Sequence, residues 1–417
     1  MIYLIAFLFS LLNAPPSYEL RNGHWLTPTG FQLRTTYVVN GRLTMKRPAQ
    51  IDSVIDLQHG FVAPPFGEAH NHNVDYSTPA RTDSMVAMYM RDGVFYVKNP
   101  GVLPRGRDSV MSYINKPTSI DALFSLGLLT ATGGHPSGLW KRNVARGGMT
   151  VEDGDGGFMW LIDTRADLAR KWPQLLAQKP DFIKTVLVHS EEYEKRRQDT
   201  TYYNWRGLNP ALLPEIVQRA HAAGLAVTTH VETAADFHAA VVAGVDEITH
   251  IPGFRGDERE QLLQPQPFEI VAADAKIAAS KKIVVVTTVG GIGFLSGTGP
   301  DSLRRRAFDN LARRNLRVLK DAGVHIAIGS DGYRDNSSRE VSYVRELGVF
   351  TDMELLRLWS ESTPRAIFPK RKVGCLEEGC EASFQVFTAD PSTDFTRVKS
   401  VRFRMKDGSR LPAFQSQ

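Results

Sequence analysis

LAVTTHVETAADFHAAVVAGVDEITHIPG, residues 225–253, reads as one strand–helix–strand unit. LAVTTHV (225–231) is a β-branched, apolar run of strand length. Thr233 then caps a helix that runs to Val242 and stops at Gly244, and EITHI (247–251) forms the next strand. A strand, a helical crossover and a second apolar strand are the repeating unit of a parallel α/β sheet. Both strands end in histidine, His230 and His250.

The same alternation extends in both directions, from Phe61 to about Phe368. GFVAPPFGEAH (60–70), GVFYVKN (93–99), LGLLTATGG (126–134), DFIKTVLV (181–188), KIVVVTTV (282–289) and VHIAIGSD (324–331) join the two strands above. Eight is the barrel number. Between them, NPALLPEIVQRAHAA (209–223) starts on an Asn cap with Pro just inside and ends at Gly224, and Asp301–Ala322 ends at Gly323. The expected fold is therefore α/β, a (β/α)8 TIM barrel over residues 65–369.

Outside that range the pattern turns to short β segments: TTYVVNGRL (35–43) and DSVIDL (52–57) before it, ASFQVFTADP (382–391) and VKSVRFRMKDG (398–408) after it. Neither flank is large enough to bury a core alone. Residues 18–64 and 370–417 are expected to pair into a small β-sandwich domain formed by both chain ends. The net charge of +5 comes from scattered basic residues, which gives no nucleic-acid footprint. No solenoid repeat or low-complexity tract is present.

The polar residues gain meaning once placed on these strands. His70 and His72 lie two apart on an extended chain, so both imidazoles face one point. Lys184 lies within the fourth strand, while His230, His250 and Asp331 end the fifth, sixth and eighth. C-terminal strand ends converge on one face of a parallel barrel. Alone, each residue has an ordinary explanation: a hydrogen-bonded core histidine, an Asp in a turn, a lysine snorkelling to solvent. Together they assemble imidazole and carboxylate ligands that suit zinc and similar divalent ions. A lysine ammonium would repel such ions, so Lys184 fits only as a buried amine that takes up CO₂ to become a bridging carbamate.

These motifs carry a resemblance. GFVAPPFGEAHNH (60–72) resembles the opening strand of the amidohydrolase superfamily, and HVETAADFHAAVVAGVDEITHIPG (230–253) resembles its strand-five to strand-six unit in the imidazolonepropionase-like and Xaa-Pro dipeptidase-type branch. DFIKTVLV is similar to that branch's carboxylated-lysine strand, AIGSDG (327–332) to its strand-eight motif and VGCLEEGCEASFQVF (373–387) to its closing strand. The resemblance implies two divalent ions, His70 and His72 on the first, His230 and His250 on the second, carboxylated Lys184 bridging them, and Asp331 as ligand and proton carrier. Ser383 stands where the closing strand usually has Asp, and Glu68 where many relatives have Asp. Deaminase relatives place a Glu three residues after the strand-five His; here that position is Thr233, with Glu232 one earlier, which disfavours deamination.

The expected function is hydrolysis of amide bonds in small substrates, dipeptides or N-acyl amino acids, with a metal-bridging hydroxide as nucleophile. His135, Tyr202 and Tyr203, in loops of the same face, are candidate substrate contacts, His135 and Tyr203 as oxyanion donors. Arg142, Lys98 and Arg206 are candidate partners for a substrate carboxylate. A lactonase, ester or organophosphate hydrolase would use the same metals, and a non-catalytic scaffold should have lost ligands that are all present here. The partner is a small molecule, with homo-oligomerisation left open. The apolar run MIYLIAFLFSLLNA (1–14) is too short to span a membrane, and residues 1–17 are expected to be an export signal. That signal is imperfect: no Lys or Arg precedes it and Pro15 follows Ala14. Cys375 and Cys380 form either one disulfide or two thiols.

Overall fold

The computed structural model describes residues 16–74, 79–105, 107–253, 264–290 and 302–412. The export signal expected over residues 1–17 lies almost wholly outside them. Among the described residues no helix is long and apolar enough to cross a membrane.

The chain ends do meet, joined by one continuous ladder of hydrogen-bonded strands. β1 (Tyr18–Thr27), β2 (Gly30–Val39), β3 (Arg42–Thr44), β4 (Ser53–Asp56) and β5 (Phe61–Ala63) form its N-terminal part. β16 (Phe384–Phe387), β17 (Val401–Lys406) and β18 (Ser409–Arg410) complete it in the order β18-β17-β16-β5-β1-β2-β3, with β4 also on β1. β5 joins the two ends, parallel to β1 and antiparallel to β16. Trp25 and Phe384 pack across that junction with ring centroids 5.3 Å apart.

The central region is parallel α/β, as the alternation predicts. β6 (Phe66–Glu68), β7 (Val94–Asn99) and β8 (Asp121–Phe124) form a three-stranded sheet. β9 (Leu128–Thr130), β10 (Met159–Leu161), β11 (Ile183–Val186), β12 (Val227–His230), β13 (Glu247–Thr249), β14 (Val284–Val286) and β15 (His325–Ala327) form a seven-stranded sheet in the order β10-β9-β11-β12-β13-β14-β15. The strands are short and buried on both faces, which is why they read as continuous apolar runs. The ladders of the described residues do not close into one barrel. Backbone bonds just beyond the strands bring the first and last together: Ala69 N–H to Ile328 O at 2.9 Å and Asp331 N–H to His70 O at 2.8 Å.

Local chemistry fixes the crossover that the sequence marks most clearly. The helix Ala234–Ala243 starts at a capping box in which Thr233 and Asp236 satisfy each other's backbone N–H, and it ends at Gly244 with φ +75°. Beneath the first strand, Trp359 Nε1 donates to Ser337 Oγ at 2.8 Å, and that hydroxyl donates to Gly67 O at 2.8 Å. These bonds anchor β6, and with it the chain that carries His70. A buried charge cluster clasps the chain-end sheet to β8, with Lys406 Nζ and Arg371 Nη1 each 2.8 Å from the Asp121 carboxylate. Cys375 and Cys380 form a disulfide.

Candidate metal centre

His70 and His72 follow β6, where the chain bends, and turn Nε2 to the same oxygen, Asp331 Oδ1, at 3.5 and 3.1 Å. One potential ligand atom from each of the three lies within 4.8 Å of the other two. His250 adds its ring 4.9 Å from that of His70, His230 follows 4.4 Å from His250, and His135 stands 4.9 Å from His230. The five rings form one chain across the ends of β6, β12 and β13 and the loop after β9.

The backbone is unusual where these side chains converge. His250 (φ +79°), Thr288 (φ +47°) and Asp331 (φ +50°) occupy the left-handed region just past β13, β14 and β15. Such geometry costs energy in β-branched and bulky residues and clusters at functional sites. Here it turns each side chain from its strand toward the common centre.

Electrostatics prepare these groups as ligands. Burial, reinforced by the charge of Lys184, lowers the His70 pKa to about 3, and burial with neighbouring His230 and His70 holds His250 well below its ordinary value. Both rings are therefore neutral at physiological pH. Burial opposes ionisation of Asp331, but hydrogen bonds from His70 and His72 outweigh it and hold the carboxyl well below its usual range. Two imidazoles and an ionised carboxylate converging on one point match the donor chemistry of a divalent ion.

Lys184 lies inside the sheet on β11, buried, its Nζ donating to Thr249 Oγ1. Burial lowers its pKa to about 7, with the Lys98 charge pushing the same way and Glu247 and Asp331 opposing. A large fraction of the amine is therefore unprotonated near neutrality, as CO₂ capture needs.

The loop residues divide. His135 N–H donates to Arg206 O at 2.8 Å and Asn204 N–H to Gly133 O at 2.8 Å, so the loop carrying His135 and the loop carrying Tyr203 are tied together. The Tyr203 hydroxyl is buried, with Lys141 Nζ 4.0 Å from the ring centre. Tyr202 packs under Arg196 and Lys195 of its own loop, and Arg142 is exposed on the helix Ser137–Ala145. Arg206 directs Nη1 to the carbonyls of Arg196 and Arg197. Lys98 corrects the sequence reading: it is not a loop cation but a buried β7 residue, 2.9 Å from Glu247 Oε1 and 2.8 Å from Thr228 Oγ1.

Two buried acids hold this centre from behind: Glu68, which the sequence marks as a departure from the related pattern, and Glu340, which sequence reasoning missed. Glu68 accepts from Ser330 N–H and Ser330 Oγ, both at 2.8 Å, and Glu340 accepts from Val289 N–H at 2.8 Å and from Gly290 N–H. Glu340 lies on SSREVSYVRE (337–346), where an acid reads as surface charge. Burial raises its pKa to about 7. A carboxyl whose folded pKa is raised binds its proton more tightly when folded, so its stabilisation is complete below about 4.5 and lost as pH climbs through about 7. Melting temperatures of the metal-free protein should fall across that window, by up to ~3 kcal/mol in stability from this group. Glu340→Gln should melt lower at acid pH but lose that part of the slope; an unchanged slope would refute the assignment.

A family model, that of the amidohydrolase family, matches residues 203–411, which include His230, His250 and Asp331; the first strand and Lys184 lie upstream of the matched segment. No curated protein matches the sequence. Among solved structures, the ochratoxinase of A. niger superposes with TM-score 0.72 at 20% identity, covering 95% of this chain and 95% of its own. A Xaa-Pro dipeptidase with methionine bound in its active site gives 0.70 at 17% identity, covering 95% of this chain and 100% of its own. Molinate hydrolase gives 0.72 at 14%, covering 95% of each chain. At these identities the likeness is one of fold. With its matched segment spanning half its length, the chain belongs to the amidohydrolase family of metal-dependent hydrolases.

Proposed function

We propose that this protein is a binuclear hydrolase of amide bonds in small substrates, dipeptides or N-acyl amino acids. The observation that carries the reading is the convergence of His70, His72, His230, His250 and Asp331 at one end of the parallel strands, with Lys184 buried beneath them. His70, His72 and Asp331 would hold one ion and His230 and His250 the other, zinc being the expected metal. Lys184 would bridge them as a carbamate, its amine nitrogen bonding CO₂ and releasing one proton. When bound, the ions supply Lewis acidity and a water whose pKa falls from 15.7 to about 7. Asp331 takes the proton released as water adds to the substrate carbonyl and delivers it to the nitrogen as the C–N bond breaks. His135 and Tyr203 would donate to the developing oxyanion, a role supported by the backbone bonds that tie their two loops together.

The Ala69–Ile328 and Asp331–His70 backbone bonds support reading the parallel strands as a (β/α)8 barrel closed at the site itself. Structures of a Xaa-Pro dipeptidase and an ochratoxinase among the fold neighbours support an amide-type substrate. The Cys375–Cys380 disulfide supports export to an oxidising compartment.

Purified protein should carry about two divalent ions per chain by its ligand count. Products should be separated after incubation with a dipeptide and N-acyl amino acid library and, in parallel, a lactone panel. Amine release from the library is the expected result. Turnover of lactones alone would replace the amide reading, and substoichiometric metal with no turnover would make the protein a scaffold.

A further inference from the structure

The four histidines of the centre are held in two different ways. His70 and His72 both turn Nε2 toward Asp331. His230 and His250 instead have one ring nitrogen engaged from outside the centre: His230 Nε2 lies 2.9 Å from Glu232 Oε1, and His250 Nδ1 lies 2.7 Å from Thr288 Oγ1. A threonine hydroxyl can donate or accept, so it permits either tautomer of its ring. A carboxylate oxygen accepts the N–H of a ring nitrogen that faces it, which favours the tautomer carrying the proton on that nitrogen.

We propose that Glu232 is the positioning residue of the second metal: it accepts the Nε2–H of His230 and so makes Nδ1 the atom presented to the ion. The proposal rests on the binuclear reading for its metal but not for its tautomer. Glu232 is built for this task. It is buried, and it lies two residues after His230, where β12 ends and the chain bends toward the next helix. Its N–H donates to Asp236 Oδ2 at 3.0 Å, and its carbonyl accepts from Gly253 N–H at 2.9 Å. Asp236 also accepts from the backbone of His189 and Ser190, so the loops after β11, β12 and β13 all fix the backbone of Glu232. A carboxylate behind a ligating imidazole both orients the ring and raises its basicity, and its loss typically weakens a metal about 10–100-fold.

The test titrates metal-stripped, full-length wild type, Glu232→Gln and Glu232→Ala with Co(II), following heat and visible absorption. The first ion should bind alike in all three. The second should bind about 10–100-fold more weakly to Glu232→Ala. Glu232→Gln should lose less, because its amide oxygen still accepts the ring N–H. An alanine variant that binds both ions as wild type does, or weakens both equally, overturns the proposal. So does a glutamine variant as impaired as alanine, since Glu232 would then be a direct ligand. Spectra of ¹⁵N-histidine-labelled, metal-free protein give a readout independent of ion count. His230 should be the Nε2–H tautomer in wild type and a mixture in Glu232→Ala; a mixture already in wild type overturns the proposal. A wild type that binds only one ion sinks the binuclear reading, and the tautomer still decides the role of Glu232.

Discussion

Asp331→Asn should keep much of its metal while kcat falls by about 10²–10⁴, the usual consequence of losing a general acid–base group. The substitution is chosen for what it preserves. Asn matches Asp in size, and it tolerates the left-handed backbone that residue 331 adopts at φ +50°. The Asp331 N–H bond to His70 O belongs to the backbone and survives, so the loop after β15 stays tied to the first strand. The amide oxygen still accepts from one of the two histidines now bound to Oδ1. What disappears is the negative charge and the ability to carry a proton from the attacking water to the leaving amine. Five proposed ligands, His70, His72, Lys184, His230 and His250, remain. Metal content and turnover should be measured on the same preparation, with whichever substrate the library identifies. Near wild-type turnover with both ions bound would show that Asp331 is not the proton carrier, whatever the fold.

Local physics was legible in the sequence; assembly was only partly so. The helix between β12 and β13 announces itself because Thr233, Asp236 and Gly244 act within a few residues of one another. Placing histidines at strand ends needed only the alternation of elements, which is why His70, His72, His230, His250 and Asp331 were found together. Lys98 was misplaced because GVFYVKN is buried throughout, so no polar face shows which way its lysine points. The meeting of the chain ends was legible from composition. The insertion of β5 between β1 and β16 was not, since pairing across more than three hundred residues leaves no local trace. Glu232 was visible in HVE and was read only as a departure from the deaminase pattern. The signal was its position: an acid two residues past a histidine that ends a strand stands within reach of that ring.

Lys184→Ala should fail differently from Asp331→Asn, losing metal and activity together. The lysine amine is buried on β11 with Thr249 Oγ1 as its partner, and the Lys98–Glu247 ion pair joins β7 to β13. Truncation leaves that pair intact and vacates the space the amine fills. In the proposed mechanism the lost group is an anion shared by both ions. Its removal should weaken metal binding by at least the about 10–100-fold that loss of an outer partner costs. Turnover should fall in step with occupancy. The vacated space admits a small carboxylate, whose two oxygens reproduce those of a carbamate, so acetate or propionate should restore part of both metal content and rate. Protein prepared with ¹³C-bicarbonate should show a carbamate resonance in wild type that Lys184→Ala lacks. Rescue separates the chemical role from a packing role, because a carboxylic acid cannot repair a fold defect elsewhere. A variant that binds two ions and turns over at the wild-type rate without added carboxylate would remove Lys184 from the site altogether.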